Sequence, residues 1–181
     1  FDVYFDYPHG MRHVNPAGTI TSWPSTTSWC SRSSGCPGDG QPVVQGWIPD
    51  PDDMGVDSAG NLYVLVTMPV RSGLDFQWIR IVSADGTLDT LRLSDGQYWS
   101  RCTRCNEGRA HAMAIDQNDD VLVALPDCII RFAPGGTVAD VPGTVGVFPN
   151  PVTSMTLDDS GNIYLRVHRD AGGLSRITPA E

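Results

Sequence analysis

Apolar and polar residues alternate in three similar segments of the chain, each interrupted by a short polar turn. The segments read Met54-Gly-Val-Asp-Ser-Ala-Gly-Asn-Leu-Tyr-Val, Met113-Ala-Ile-Asp-Gln-Asn-Asp-Asp-Val-Leu-Val and Met155-Thr-Leu-Asp-Asp-Ser-Gly-Asn-Ile-Tyr-Leu. Alternation with a period of two predicts half-buried strands, and Asp, Gly and Asn supply turn chemistry between them. We therefore expect each segment to form a strand, a tight turn and a second strand.

A second pattern follows the first along the chain. It reads Trp78-Ile-Arg-Ile-Val-Ser-Ala-Asp-Gly-Thr-Leu and Ile129-Ile-Arg-Phe-Ala-Pro-Gly-Gly-Thr-Val, occurs near the N-terminus from Met11, and occurs again from Leu174. Together the two patterns predict four consecutive strands, which we label a to d. Four antiparallel strands that recur along a chain are the unit of a β-propeller blade.

The repeats also resemble known families. Asp-Ser-Ala-Gly-Asn-Leu-Tyr-Val, Asp-Asp-Ser-Gly-Asn-Ile-Tyr-Leu and Leu-Ser-Arg-Ile-Thr-Pro are similar to NHL, streptogramin-lyase and senescence-marker-type propeller repeats. The resemblance covers most of the chain outside Ser25 to Pro49 and Asp95 to Arg109. It implies an all-β propeller fold, but these families include lyases, lactonases and pure interaction modules, so it does not fix a function.

The repeat boundaries predict a single propeller domain of about three and a half blades. Closed propellers have about 4 to 8 blades, so we expect an incomplete ring, or one that missing sequence or a partner chain completes. The absence of an initiator Met before Phe1 also suggests a processed chain or an excerpt. The predicted parts are a partial blade (1–24), a cysteine-containing loop (25–49), a blade (50–94), a cysteine-containing insertion (95–109), a blade (110–150) and a partial blade (151–181).

Charge and hydropathy exclude two classes of partner. The chain has 12 basic residues, all Arg, and 21 acidic residues, which gives a net charge of −9. Such a field repels the phosphates of nucleic acids and anionic lipid headgroups. No apolar run reaches the roughly 18 residues that a membrane-spanning helix needs. We expect neither nucleic-acid binding nor membrane insertion.

The cysteines fall in the predicted long connections between strands. Paired cysteines in Ser-rich and Gly-rich loops are ordinarily disulfides, which predicts a secreted or extracytoplasmic protein. We expect Cys30 to bond Cys36, and Cys102 to bond either Cys105 or Cys128. A tetrahedral zinc held by the first four of these cysteines is the alternative.

The long connections of a propeller share one face, and the tight turns lie on the other, so the cysteine-bearing face is the predicted functional one. His111 begins a strand a near the axis, where streptogramin-lyase-like sequences often carry a His-Gly-Ile phrase. Asp52 and Asp53 belong to an acidic run that enters the same region and has the oxygen ligands that Ca²⁺ prefers. These three residues are the candidate catalytic set, and a solvated histidine beside a polar mouth is the alternative.

Aromatic residues also lie in or beside the long loops. Trp29, Tyr98 and Trp99 could stack on a sugar or anchor a protein partner, because large amphipathic rings give much contact for little entropy loss. Filling the space between sheets is the alternative for the two tryptophans. Trp78, within a predicted strand, is expected in the core.

The turn aspartates recur once in each blade, which argues for a structural role rather than a catalytic one. Strand c runs back toward the turn that opens the blade, so its Arg is expected to reach the level of that Asp. The predicted ion pairs are Asp57 with Arg80, Asp116 with Arg131, and Asp158 with Arg176.

Taken together, the sequence favours an extracytoplasmic interaction module without a required cofactor. Its decorated loops or open blade edges would bind a protein or glycan partner, or a second copy of the chain. The alternative is a metal-assisted lyase or hydrolase of the streptogramin-lyase or senescence-marker type. That enzyme would use His111 with Asp52 or Asp53, and Ca²⁺ or another divalent ion.

Overall fold

The computed structural model describes residues 2–6, 10–14, 17–24, 36–48, 51–69, 75–96, 109–146, 148, 152–167 and 173–178. These residues form β-strands, tight turns and one short 3-10 helix at Val43–Gln45. The strands are β1 (Asp2–Asp6), β2 (Gly10–Val14), β3 (Ile20–Pro24), β4 (Gln41–Pro42), β5 (Pro51–Val56), β6 (Leu62–Pro69), β7 (Asp75–Val82), β8 (Thr87–Thr90), β9 (Ala112–Ile115), β10 (Val121–Ala124), β11 (Ile129–Phe132), β12 (Val138–Asp140), β13 (Val152–Leu157), β14 (Ile163–Val167) and β15 (Gly173–Ile177).

The strands form four antiparallel sheets, which follow one another along the chain. Blade 1 has the order β1-β2-β3, blade 2 the order β4-β8-β7-β6-β5, blade 3 the order β12-β11-β10-β9, and blade 4 the order β13-β14-β15. Blades 2 and 3 contain all four predicted strands a to d. Blade 1 contains b, c and d, and blade 4 contains a, b and c, as the repeat patterns predict.

Neighbouring blades pack face to face around their innermost strands. Strand β5 contacts β9, and β9 contacts β13. Apolar side chains fill each space between blades, with Met54, Met113 and Met155 at equivalent positions in three successive cores. All four residues of β10 are apolar and buried, because a blade inside the stack is covered on both faces.

Half of the predicted loop 25–49 is part of the fold. Its residues 36–48 add the strand β4 to the outer edge of β8. Val43, Trp47 and Ile48 are buried with Met11 and other residues in the core between blades 1 and 2. The apolar side chains of this segment explain the packing, since the segment has no core of its own. The remaining residues, 25–35, lie outside the described part of the chain.

The turn aspartates organise the turns. In blade 2, Asp57 Oδ1 accepts hydrogen bonds from the backbone N–H groups of Ala59 (3.0 Å) and Asn61 (2.8 Å). Asp57 Oδ2 accepts from Asn61 Nδ2 (2.7 Å) and from the Tyr63 hydroxyl (3.3 Å). Asp158 repeats all four bonds in blade 4. These bonds explain why Asp, Asn and Tyr recur together at fixed spacing.

The predicted ion pairs form in one blade of three. Arg131 Nη2 lies 3.9 Å from Asp116 Oδ2, with the arginine side chain 41% exposed. The prediction for Arg80 is wrong: this fully buried guanidinium pairs with Asp39. The prediction for Arg176 is also wrong, since its Nη2 donates to Asn162 Oδ1 at 3.0 Å.

A one-residue offset explains the failure at Arg80. Tyr63 pairs with Ile81 across the sheet, as Leu122 pairs with Arg131 and Tyr164 with Arg176. Arg80 therefore stands one position before the other two arginines. Because successive side chains of a strand point to opposite faces, its guanidinium points away from the Asp57 side of the sheet.

Candidate functional site

The start of β5 carries two neighbouring carboxylates at the axial end of blade 2, opposite the tight turns. The register between β5 and β6 shifts between Pro51 and Asp53, so Asp52 is the extra residue of a β-bulge. Bulges re-aim side chains and are common near functional sites. Here the bulge directs Asp52 toward the last residues of β6 and the segment that precedes β9.

Asp52 is held by its own chain on both oxygens. Its Oδ2 accepts a hydrogen bond from the Thr67 hydroxyl, and its Oδ1 accepts one from Arg109 Nη2 at 2.6 Å. The Asp52 side chain is 9% exposed, whereas that of Arg109 is 39% exposed. The Asp52 carboxylate is therefore nearly buried, whereas part of the Arg109 guanidinium is exposed at the mouth.

Gln77 extends this network to the next blade. Its Nε2 donates to Thr67 Oγ1 (2.8 Å) and to the Ala110 carbonyl (2.6 Å), and its Oε1 accepts from the Ala110 N–H (2.6 Å). Both Gln77 and Ala110 are buried. These bonds fix the end of the cysteine-containing connection 95–109 to blade 2.

Asp53 links blade 2 to blade 3 directly. Its Oδ2 accepts from the Met113 N–H, and its Oδ1 from the Met54 N–H, both at 2.9 Å. Burial raises the pKa of the Asp53 carboxyl; these two backbone donors favour the charged form and offset only part of the effect. The Asp53 carboxylate therefore connects β5 to β9, the innermost strands of blades 2 and 3.

His111 is half-buried immediately before β9, and within the described part of the chain no hydrogen bond to it is present. Asp52 and Asp53 at the start of β5, and His111 just before the neighbouring strand β9, lie at the same end of the fold. Among the described residues, however, no group of three His, Cys, Asp or Glu side chains could hold a metal ion. Both carboxylates accept hydrogen bonds from groups of the chain itself.

The predicted cysteine and aromatic sites are only partly within the described residues. Cys36 and Cys128 are buried, and each is disulfide-bonded. Their predicted partners lie outside the described part of the chain, so the pairings stay predictions. Trp78 is buried, as predicted. Six of the predicted site residues lie outside the described ranges: Cys30, Cys102, Cys105, Trp29, Tyr98 and Trp99.

No family model matches the sequence, and no curated protein matches it significantly. Solved structures do match. A protein assigned as a gluconolactonase has a TM-score of 0.58 at 15% identity, over 94% of this chain and 53% of that chain. A glucose dehydrogenase has a TM-score of 0.51 at 15% identity, over 98% and 64%. Both are β-propeller proteins.

The chain is a partial β-propeller. It spans about half of the first of these two propellers and about two thirds of the second, which agrees with sheets for three and a half blades. A streptogramin B lyase also matches, with a TM-score of 0.40 at 11% identity over 72% of this chain and 56% of that chain. At these identities the likeness concerns the fold of the propeller. No helix in the described part of the propeller is long and apolar enough to cross a membrane.

Sequence reasoning placed Asp52, Asp53 and His111 at the axial end of the propeller but missed what holds them. Thr67, Gln77 and Arg109 were not candidates, although they fix Asp52 and the start of β9. The one signal for them is polarity: Thr67 and Gln77 are polar residues within the apolar strands β6 and β7, and Arg109 is a charged residue shortly before β9.

Proposed function

We propose that this partial propeller is an extracytoplasmic interaction module, whose long connections on the axial-mouth face bind a protein or glycan partner. One observation supports this above others: both cysteine-bearing connections return to the sheets at hydrogen-bonded anchors. Binding loops held on a rigid scaffold lose little conformational entropy on binding.

The first anchor holds the end of the connection 25–49. Asp39 accepts hydrogen bonds from the buried Arg80 guanidinium and from the Thr90 hydroxyl, the latter at 2.8 Å. Arg80 Nη2 also donates to the Pro37 carbonyl at 3.1 Å. Cys36, immediately before this anchor, is disulfide-bonded.

The second anchor is the network of Asp52, Gln77, Arg109 and Ala110 at the end of the connection 95–109. It also bears on catalysis, because each oxygen of Asp52 already accepts one donor, from Thr67 or Arg109, which leaves fewer lone pairs for a metal or a substrate proton. Asp53 is similarly occupied by two backbone donors. This occupancy favours binding over the metal-assisted lyase or hydrolase that the family resemblance also implies.

The extracytoplasmic location rests on the disulfides at Cys36 and Cys128, since such bonds persist in oxidising compartments. With five cysteines, we expect two disulfides and one remaining thiol. Intact mass before and after reduction and alkylation tests this. Five alkylated cysteines without prior reduction would contradict the location.

The binding role is tested with a glycan array, using the intact chain and the variants Trp29→Ala and Trp99→Ala. We expect selective binding that falls at least tenfold in one of these variants. Val138→Ser is the matched control, because Val138 is a half-exposed apolar residue of the outer strand β12. If the array shows no ligand, photo-crosslinkers at positions 29 and 99, with position 138 as control, test for a protein partner on the source cell surface.

A catalytic role would give a different result. Hydrolysis of glucono-1,5-lactone, assayed with Ca²⁺, Mn²⁺ and Zn²⁺, is expected to stay at the buffer rate. Metal-dependent turnover that is lost in both His111→Ala and Asp53→Asn would replace the binding proposal with the enzyme alternative. Crosslinking that is equal at positions 29, 99 and 138 would contradict the loop face as the binding surface.

A further inference from the structure

The outer edge of β15 in blade 4 has no partner strand among the described residues. In blades 2 and 3 the equivalent strands, β7 and β11, pair on this side with β8 and β12. An unpaired edge presents a row of backbone N–H and C=O groups that can pair with another strand. The chain itself shows that an outer edge accepts an extra strand, since β4 pairs with the outer side of β8. The edge of β15 is separate from the long connections to which the proposed function assigns binding.

An apolar residue beside this edge is exposed, although its counterparts in the other blades are buried. Leu174 holds the position of Ile79 in blade 2 and of Ile129 in blade 3, as the pairing with the preceding strand shows. Ile79 is 1% exposed and Ile129 is 0% exposed, whereas Leu174 is 78% exposed. Blade 4 therefore carries an apolar contact position on its outward face, next to the open edge.

The same face carries two arginines. Arg176 follows Leu174 by two positions in β15, and Arg166 of β14 pairs with Leu174, so the three side chains share a face. Leu165, on the opposite face, is buried against blade 3. Arg166 and Arg176 are both exposed, so their face does not suit the apolar packing that joins the other blades.

These two arginines have no ion pair within the described part of the chain. Other described arginines do pair with a carboxylate: Arg80, Arg92, Arg109 and Arg131. Two exposed cations without a carboxylate stand out in a chain of net charge −9. Since interfaces pair a positive patch with a negative one, the outward face of blade 4 complements an acidic partner.

Arg176 is also held in one place. Its Nη2 donates to Asn162 Oδ1 at 3.0 Å, and its guanidinium carbon lies 6.0 Å from the centre of the Tyr164 ring. The turn carboxylate of the same blade, Asp158, accepts four hydrogen bonds from its own turn and from Tyr164. A positioned guanidinium loses little side-chain entropy when it binds a carboxylate.

Blades 2 and 3 show which side chains fit opposite the open edge. In blade 2 the residue opposite the position of Arg176 is Asp89. In blade 3 it is an alanine, and the arginine of that blade lies near two turn aspartates instead. Opposite the position of Leu174, the N–H groups of Leu91 and Val141 each donate to the strand at 2.8 Å. The edge thus fits an acidic residue and, two positions later, an apolar one.

We propose that the open edge of β15 binds an extended segment of a separate polypeptide, with an acidic side chain opposite Arg176 and an apolar side chain opposite Leu174. The segment adds as an antiparallel strand, so backbone hydrogen bonds supply affinity and the two side chains supply specificity. Opposite charges that face each other across two strands stabilise the pairing, and like charges weaken it. The segment Thr87-Leu-Asp-Thr-Leu of blade 2 has this pattern and occupies the equivalent place beside β7.

The test is an NMR titration of the intact chain with the capped peptide Thr-Leu-Asp-Thr-Leu, which copies residues 87–91. We expect saturable shifts confined to the amides of residues 163–167 and 173–178. A peptide with Lys in place of Asp is expected to bind about fivefold more weakly, because two cations then face each other. A peptide whose last Leu is N-methylated is expected to bind about tenfold more weakly, because it lacks the N–H that Leu91 donates in blade 2.

Variants of the chain make the assignment specific. Arg176→Gln is expected to weaken binding of the Asp peptide about threefold, whereas the matched Arg92→Gln in blade 2 is expected to leave it unchanged. Arg176→Glu reverses the charge, so the Lys peptide is expected to bind this variant about fivefold more tightly than it binds the unsubstituted chain.

Four outcomes would overturn the proposal: the absence of saturable shifts, shifts centred outside blade 4, equal affinity for the Asp and Lys peptides, and unchanged binding of the N-methylated peptide. Sedimentation velocity of the chain alone tests the other occupant. A dimer that Arg176→Glu dissociates would assign the edge to a second copy of the chain and would also overturn the proposal. Binding of the peptide is expected to be unchanged in Trp29→Ala and Trp99→Ala, so the edge and the loop face can fail independently.

Discussion

Replacing Asp39 by alanine tests the most deeply buried charge in the described part of the propeller. The Arg80 side chain is fully buried, and Asp39, 17% exposed, is its carboxylate partner. The Thr90 hydroxyl and the Pro37 carbonyl also accept from Arg80, but they carry no charge. Asp39→Ala therefore removes the carboxylate that pairs with this buried guanidinium.

Removing one member of a buried ion pair costs about 3–5 kcal/mol. For a domain of this length, each kcal/mol lowers Tm by roughly 2–4 °C, so we expect Tm to fall by about 6–20 °C. Arg80→Met is expected to cost less, because the remaining carboxylate is near enough to the surface to be rehydrated. The double variant is expected to cost less than the sum of the two single ones.

Thermal and guanidinium unfolding, followed by tryptophan fluorescence, measure these losses. The matched control is Arg92→Ala: Arg92 Nη2 lies 3.8 Å from the other Asp39 oxygen, and its side chain is 49% exposed. An exposed pair contributes roughly 0–1 kcal/mol. Equal losses in Asp39→Ala and Arg92→Ala would refute the buried-pair argument, and so would strict additivity in the double variant.

Three further predictions concern the turns and the contact between blades. Burial and the Asp57 charge raise the pKa of Tyr63 to about 12, so stability that Tyr63 contributes below pH 10 is expected to be lost as the pH rises through 12. Absorbance at 295 nm should show a late transition that is missing in Tyr63→Phe and earlier in Asp57→Asn. A Cβ at Gly55 would lie 2.8 Å from Ile115 Cγ1, so Gly55→Ala is expected to lower the free energy of unfolding by about 1–3 kcal/mol. Denaturant unfolding measures this loss. Gly135 has open space around it, so Gly135→Ala should leave the free energy of unfolding nearly unchanged. Because the pKa of Asp120 is raised, its charge costs stability above its folded pKa, so Asp120→Asn should raise Tm most at neutral pH, with a gain that shrinks on acidification. A pH-independent gain would contradict the electrostatic cause.

The fold was predictable because its signals are local. An Asp followed four residues later by Asn marks the turn in blades 2 and 4, whereas blade 3 has Asp116 followed by Asp120. The period-two alternation around these turns identifies the strands. Arg80 shows where local reasoning fails. The phrase Ile-Arg precedes the turn in both blades. The turns are closed by equivalent hydrogen bonds, from the Ser83 N–H to the Thr87 carbonyl and from the Ala133 N–H to the Thr137 carbonyl. Counted back from these bonds, Arg80 is equivalent to Ile130 and not to Arg131.

The candidate site was predictable only in its location. In blades 2, 3 and 4 strand a starts at the end of the fold opposite the tight turns, so Asp52, Asp53 and His111 had to share that end. Their partners had no local signature, since Gln77 reaches Ala110 across 33 positions of the chain. Such contacts form because neighbouring blades stack on one another, and a short sequence pattern does not report how blades stack.

Titration of the intact chain with Ca²⁺, Mn²⁺ and Zn²⁺ by isothermal calorimetry tests the central claim most directly, because it asks whether the axial carboxylates serve the scaffold or a metal. If Asp52 and Asp53 are held by Thr67, Arg109 and the backbone of β9, no metal should bind with micromolar affinity, and Asp53→Asn should leave the weak heats unchanged. Micromolar binding that is lost in both Asp53→Asn and His111→Ala would contradict the interaction module and establish a metal centre at the mouth.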